Sequence, residues 1–370
     1  MNANANWNSS QIAVNMTSDK VDLALAILSD MALNPAFSND EIELYKKQTL
    51  DELIVRLKQP NNLASYVASR YTYGEHPALG TPDSLKLINQ ANIQKFYKDF
   101  YVPKGSVLIF TGDISAANAF SLADKYFGKW NNIGNTVSRS EMRKTTGTTN
   151  LINRLLVVDL PNSGQAAVTY AKQIPFGRLA DKEKYFSAMV GNTVLGGGYS
   201  ARLNEEIRIK RGLSYGASSG IVWRNGEGNF IARAQTKNVS AAEVAELMAG
   251  EVNKIVSENA MTDELTARKL TLTGDFGRDL ASTDSLAERV GELYLFGLKT
   301  DELSSYMKNV QIVSDAQIKD FAVKNLKGGD LIIVGDYSVF KDDLAKRFPN
   351  MKIDVIKADE LDLSKDNLRK

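Results

Sequence analysis

Few side chains in this sequence could do chemistry, and their types narrow the choice at once. There is no cysteine and a single histidine, His76. Thiol nucleophiles, disulfides and Cys-rich zinc modules are therefore excluded. Catalytic zinc commonly takes three protein ligands, often two or more of them histidines, and His76 alone does not supply that set. Three consecutive glycines, Gly196, Gly197 and Gly198, precede a run patterned as a helix. Backbone N–H groups at such a place can hold a phosphate. No Gly-Lys-Ser/Thr ending follows them and no GxGxxG stands after a strand, so nucleotide binding is not expected and a tight turn is sufficient. Arg208 and Tyr215 follow on the next helix and strand. On spacing alone, Arg208 is an exposed residue pairing with Glu205 one turn away, and Tyr215 fills a strand position.

The elements that carry these residues can be read from periodicity and turn signals. Helices are expected at about 21–32, 38–57, 61–73, 81–88, 92–100 and 115–127, with a weak strand at 11–17 and a buried apolar strand at Val107–Phe110. From Gly128 to Asn150 the composition shifts to Asn, Gly, Ser and Thr, which marks a linker. Beyond it, strands are expected at 155–159, 166–171, 214–223 and 229–236. Helices are expected near 182–194, 200–210, 241–258, 263–280 and 285–296. The two halves end alike: an amphipathic helix, a turn, an apolar strand closed by Gly112-Asp113 or Gly335-Asp336, and a helix ending in Phe127 or Phe348. A unit that appears twice at half the chain length indicates duplicated domains rather than a solenoid. The expected class is α+β, with two homologous domains, each a mostly antiparallel sheet with helices packed on one face. The expected boundaries are 1–130 for an N-terminal domain, 131–149 for the linker, 150–350 for the second domain and 351–370 for a C-terminal tail.

Composition bounds the function classes. The chain has 370 residues, 43% of them hydrophobic and 24% charged, with 45 Lys and Arg against 44 Asp and Glu. That balance is not the basic footprint of a nucleic-acid binder, and no apolar run reaches the length of a membrane span. The stretch Asn2–Gln11 has neither the positive nor the apolar region of a signal peptide.

Several motifs in order resemble a known family. The run Leu195-Gly-Gly-Gly-Tyr-Ser-Ala-Arg-Leu-Asn-Glu-Glu-Ile-Arg-Ile-Lys-Arg-Gly-Leu-Ser-Tyr215 resembles the glycine-rich turn, helix and strand in the second domain of insulinase-like (pitrilysin-type) zinc metallopeptidases. Asp159–Gln165 resembles the strand and turn that enter that domain. Leu33–Phe37, Tyr73–Pro77, Gly80–Pro82 and Gly112-Asp113 follow the family's order in the first half. The resemblance implies homologous α+β domains facing each other as a clamshell, with the first domain truncated at its N-terminus. It also implies that Arg208 and Tyr215 match the family's Arg/Tyr pair, which contacts the substrate backbone opposite the zinc, and that Gly196–Gly198 border the substrate chamber. A guanidinium and a phenol can both donate to one peptide carbonyl, and such donors favour a developing oxyanion.

The family's zinc motif, HxxEH, is missing from the sequence; the nearest string is Thr72-Tyr-Gly-Glu-His76. Its Glu would act as general base on a zinc-bound water. By position, the helix bearing it would lie upstream of Met1. Glu52 falls where the family has its downstream zinc ligand, and is read as vestigial because Tyr45 replaces the accompanying Glu seven residues earlier. The sequence around Trp7 and 46–53 resembles the bacterial subunit that carries the Arg/Tyr pair without the metal. The implied function is a non-catalytic, substrate-binding subunit that binds no zinc itself and degrades unstructured peptides only with a homologous zinc-bearing partner. Extended peptide would add as a strand. A truncated catalytic chain and a purely structural scaffold remain open alternatives. The resemblance points to the periplasm, with the cytoplasm as alternative.

Overall fold

The structure, a computed structural model, describes residues 1–134, 151–179, 181–224, 226–260 and 262–370. From residue 135 onward the expected linker lies outside the described residues. The first elements are β1 (Asn2–Ala5), β2 (Ser10–Ala13), α1 (Val21–Leu33), α2 (Asn39–Arg56), α3 (Pro60–Tyr71), α4 (Pro82–Lys86), α5 (Gln90–Phe100) and α6 (Ala116–Phe127). Then come β3 (Ile152–Asp159), β4 (Ala166–Ile174), α7 (Lys182–Leu195), α8 (Arg202–Asn204), β5 (Ser214–Trp223) and β6 (Gly228–Thr236). The chain continues with α9 (Ala241–Ser257), α10 (Thr262–Asp279), α11 (Thr283–Leu295), α12 (Asp301–Gln311) and α13 (Asp315–Asn325). It closes with β7 (Gly329–Gly335), α14 (Tyr337–Arg347) and β8 (Ile353–Lys357). The α+β class is as expected.

The described residues group into two compact units, one of residues 1–51, 82–134 and 275–304, the other of 52–81, 151–274 and 305–370. The described residues on either side of the expected linker fall in different units, but α3 belongs with the second unit and residues 275–304 with the first. The helix presents Leu63, Ala64, Val67 and Ala68 on one face, all buried in a cluster with Leu156, Val158, Ala167, Ala171, Ile332 and Val334. Small residues let the helix sit close to the sheet, and burying Leu63 and Val67 alone contributes about 1.5–3 kcal/mol each.

In the first unit, α1 packs against α6. The Tyr97 hydroxyl donates to the Ala32 carbonyl (2.8 Å), and Gln90 Nε2 donates to the Phe37 carbonyl (2.7 Å). The antiparallel pair β1–β2, with Asn2 opposite Ala13, forms a two-stranded sheet of its own. Val107–Phe110, expected as a buried strand, is not one. A strand needs a ladder partner, and among the described residues none pairs with this segment. The repeated supersecondary unit therefore survives in its helices but not in its first strand.

The second unit is built on a six-stranded sheet of order β5-β6-β4-β7-β3-β8. Pairings from β5 to β7 are antiparallel; β3 runs parallel to both β7 and β8. Its central strands β4 and β7 are buried almost throughout, as expected of strands covered on both faces. The α3 cluster takes one set of alternating residues, and α7, α9, α13 and α14 pack together against the sheet that supplies the other set. Residues 351–370, expected as a tail, contribute β8, and Leu363 and Leu368 join the α3 cluster. The alternation of Ile353 and Val355 carries that strand, but five residues at a sheet edge give a weak periodic signal.

Candidate functional site

The glycine turn and Arg208/Tyr215 are built by one continuous stretch from the end of α7 to the start of β5. Asp181 caps α7, its carboxylate accepting from the N–H groups of Glu183 (3.0 Å) and Lys184 (3.2 Å). The Lys184 N–H, above all, holds the Asp181 pKa below its ordinary value. At the far end, Gly196 and Gly197 close the helix, both N–H groups reaching the Asn192 carbonyl. A Cβ on Gly196 would stand 2.4 Å from the Ser219 backbone nitrogen, and one on Gly197 would stand 2.8 Å from Thr193 Cα. These two glycines are there for close packing. Gly198 has nothing within 4 Å of the same position. The Gly196 carbonyl accepts the Ser219 N–H at 2.9 Å, which ties the turn to β5.

Two arginines fasten the turn to α10. Arg202 makes a bidentate pair with Glu264 (2.9 and 2.7 Å), and Arg268 donates to the Ser200 hydroxyl (2.9 Å) and the Ser200 carbonyl. Buried Asn204 links the turn to the strand. Its amide nitrogen donates to the Tyr199 carbonyl (2.6 Å) and its oxygen accepts from the Ala217 N–H (3.1 Å).

After α8 the helix widens into a π turn over Glu205–Ile209, with the Lys210 N–H reaching back five residues to the Glu205 carbonyl. Such turns are rare and tend to mark functional sites. Gly212, at φ +63°, ends the helix in the left-handed region, and the N–H groups of Gly212 and Leu213 satisfy the carbonyls of Arg208 and Ile207. The ion pair expected between Arg208 and Glu205 does not form. Glu206 is the acid that is paired, with Lys210 (3.1 Å) and Arg211. Burial raises the Glu206 carboxyl, but hydrogen bonds from those two cations outweigh it and leave the pKa below the ordinary carboxylate value.

The Arg208 guanidinium carbon lies over two aromatic rings, 5.0 Å from the Tyr199 centroid and 4.9 Å from that of Tyr215. Both tyrosines face solvent, Tyr199 at 67% exposure and Tyr215 at 90%. Among the described residues no hydrogen bond or ion pair reaches the Arg208 side chain, so its donors are available. A cation so stacked is held by the ring faces and keeps its planar edge of N–H groups for a ligand. Tyr215 also lines a shallow depression of about 380 Å³ with Asn61, Gln165, Ser218, Arg233 and Gln235. Tyr199 was not singled out by sequence, although it directly follows the glycines; Arg233 and Asn61 carry no sequence signal of their own.

The residues considered for zinc do not assemble a site. Glu52 accepts from the Arg56 side chain on the same helix (2.9 and 2.6 Å). His76 Nδ1 lies 3.0 Å from the Pro77 carbonyl, and Tyr45 is solvent-exposed. Among the described residues, no group of three or more His, Cys, Asp or Glu side chains is placed to hold a metal ion. No described helix is long and apolar enough to cross a membrane.

Residues 88–272 match the family described as the peptidase M16 inactive domain. A protein of Mycobacterium bovis named an uncharacterized zinc protease is 24% identical over 304 residues, 81% of this chain and 68% of that protein. A protein of Helicobacter pylori named the non-peptidase homolog YmxG is 23% identical over 343 residues, 90% of this chain and 76% of that protein. Among solved structures, a peptidase M16 inactive domain from Pseudomonas fluorescens superposes with a TM-score of 0.76 at 24% identity, covering 86% of this chain and 76% of that one.

Proposed function

This chain belongs to the peptidase M16 family, and on that premise we propose that it is a non-catalytic subunit of an M16 zinc metallopeptidase. In this reading it binds extended peptide and lends Arg208 and Tyr215 to the active site of a homologous, zinc-bearing partner. The observation that carries the reading is the Arg208 stack. A guanidinium lying over two exposed tyrosine rings, with no acid paired to it among the described residues, is arranged to receive an oxygen-rich ligand. The main-chain carbonyl of a peptide is such a ligand, and the Tyr215 hydroxyl can donate to the same oxygen. Placed against a carbonyl that is being attacked, the pair would stabilise the charge that develops on its oxygen.

The donor set supports the division of labour. Glu52 is engaged with Arg56, and no second histidine exists to join His76, so the metal is assigned to the partner. The family's inactive-domain description and a non-peptidase relative agree with a chain that does not cleave by itself.

The test is to assay the purified chain for zinc content and for cleavage of an unstructured fluorogenic peptide, alone and mixed with a homologous HxxEH-bearing subunit. No stoichiometric zinc and no cleavage alone, with cleavage in the mixture above that of the partner by itself, is the expected result. Cleavage by the chain alone overturns the proposal.

A further inference from the structure

We propose that the depression beside Tyr215 selects peptides by a carboxylate, and that Arg233 is the residue that reads it; this rests on the peptide-binding role given to Arg208 and Tyr215. Most described arginines already hold a carboxylate, as Arg154 holds Asp330, Arg202 holds Glu264 and Arg224 holds Glu75. Among the described residues, the side chains of Arg208 and Arg233 make no hydrogen bond or ion pair, and both are associated with Tyr215. Arg208 stacks on the Tyr215 ring, and Tyr215 and Arg233 line the same depression.

Sheet register explains why Arg233 is left without an acid. It stands opposite Thr169 on β4 and Ser218 on β5, and residues directly opposite are those a side chain can meet on its own face. Neither is charged, and the next residue on that face, Gln235, is engaged with Gln165 (2.6 Å). The remaining polar lining is Asn61, Ser214 and the Tyr215 phenol. Among the described residues no carboxylate side chain lines the depression, and Arg233 is its one cationic side chain. In a chain whose formal charge is +1, a depression lined by an arginine and by no acid is a local choice and not a consequence of overall charge. The chemistry that fits is a planar carboxylate, which an arginine fork can take in bidentate fashion. It can come from an Asp or Glu side chain of the bound peptide or from its C-terminus.

The test uses the full chain and fluorescence anisotropy at low ionic strength with three labelled, unstructured peptides. One is neutral, with Gln at the variable position and an amidated end; one has Glu there and an amidated end; one has Gln and a free C-terminal carboxylate. At least one acid-bearing peptide should bind about fivefold more tightly than the neutral one, the factor that a solvated ion pair supplies. The acid-bearing peptide that shows the preference identifies the source of the carboxylate. In Arg233→Gln the affinity ratio should fall to one, and raised salt should compress it in the wild type. Arg233 is exposed, so the substitution leaves the fold intact, checked by an unchanged thermal transition. If the neutral peptide binds but no acidic preference is seen, or if the preference survives in Arg233→Gln, this inference fails while the peptide-binding reading stands. If no peptide binds, both fail.

Discussion

A single methyl group at Gly196 should be far more costly than the same group two residues on. Built on Gly196, it would stand 2.4 Å from the Ser219 nitrogen, 2.6 Å from Ser219 Oγ and 2.9 Å from Leu203 Cδ1. The shortest ordinary contact is 3.4 Å, so β5 must retreat by 3.4 − 2.4 = 1.0 Å from the turn. Movement on that scale breaks the 2.9 Å bond from the Ser219 N–H to the Gly196 carbonyl. Loss of the bond costs about 1 kcal/mol and overpacking adds about 1–3 kcal/mol, so Gly196→Ala should destabilise the protein by about 2–4 kcal/mol. Gly198→Ala meets nothing within 4 Å and needs no left-handed backbone, so it should stay within about 0.5 kcal/mol of wild type. Urea unfolding followed by circular dichroism measures both. A cost below about 1 kcal/mol at Gly196, or an equal cost at Gly198, would refute the packing account of the turn.

Two further perturbations probe the supports of the site. Asn204→Ala strands the Ala217 N–H and the Tyr199 carbonyl and should cost about 2–3 kcal/mol; retention of stability would show that water replaces the amide. Asp181→Ala removes the α7 cap and should cost about 1 kcal/mol at neutral pH. Because the folded Asp181 pKa is depressed, the cap's contribution is present above the ordinary value of 3.8 and is lost as pH falls through the lowered one. The difference between wild type and variant should therefore vanish in acid, and a difference that persists there contradicts the capping assignment.

How much of this was legible depended on what each feature needs. Strands β5 and β6 and helices α7 and α9 carry strong local patterns and lie within a residue or two of their expected bounds. Val107–Phe110 has the composition of a strand, but pairing is a property of two segments, and among the described residues none pairs with it. The place of α3 in the second unit was hidden for a related reason. Its Leu63–Val67 face shows that it packs, not where. At the site, the seven-residue separation of Arg208 and Tyr215 was readable, and so was the glycine turn. The π turn was not, nor was the contact of Arg208 with two rings in place of Glu205. Arg233 was illegible because an arginine on a strand looks like any solvated cation until its cross-strand neighbours are known.

The central claim is that Arg208 acts on substrate held for a partner's zinc, and one measurement addresses it most directly. Arg208→Ala should be compared with wild type in the mixed peptidase assay with a homologous zinc-bearing subunit, with complex formation followed by size-exclusion chromatography. The account predicts that the complex forms as before and that the cleavage gained by mixing is lost, by about 100-fold if the guanidinium acts as an oxyanion donor. An intact complex that cleaves at the wild-type rate would contradict it.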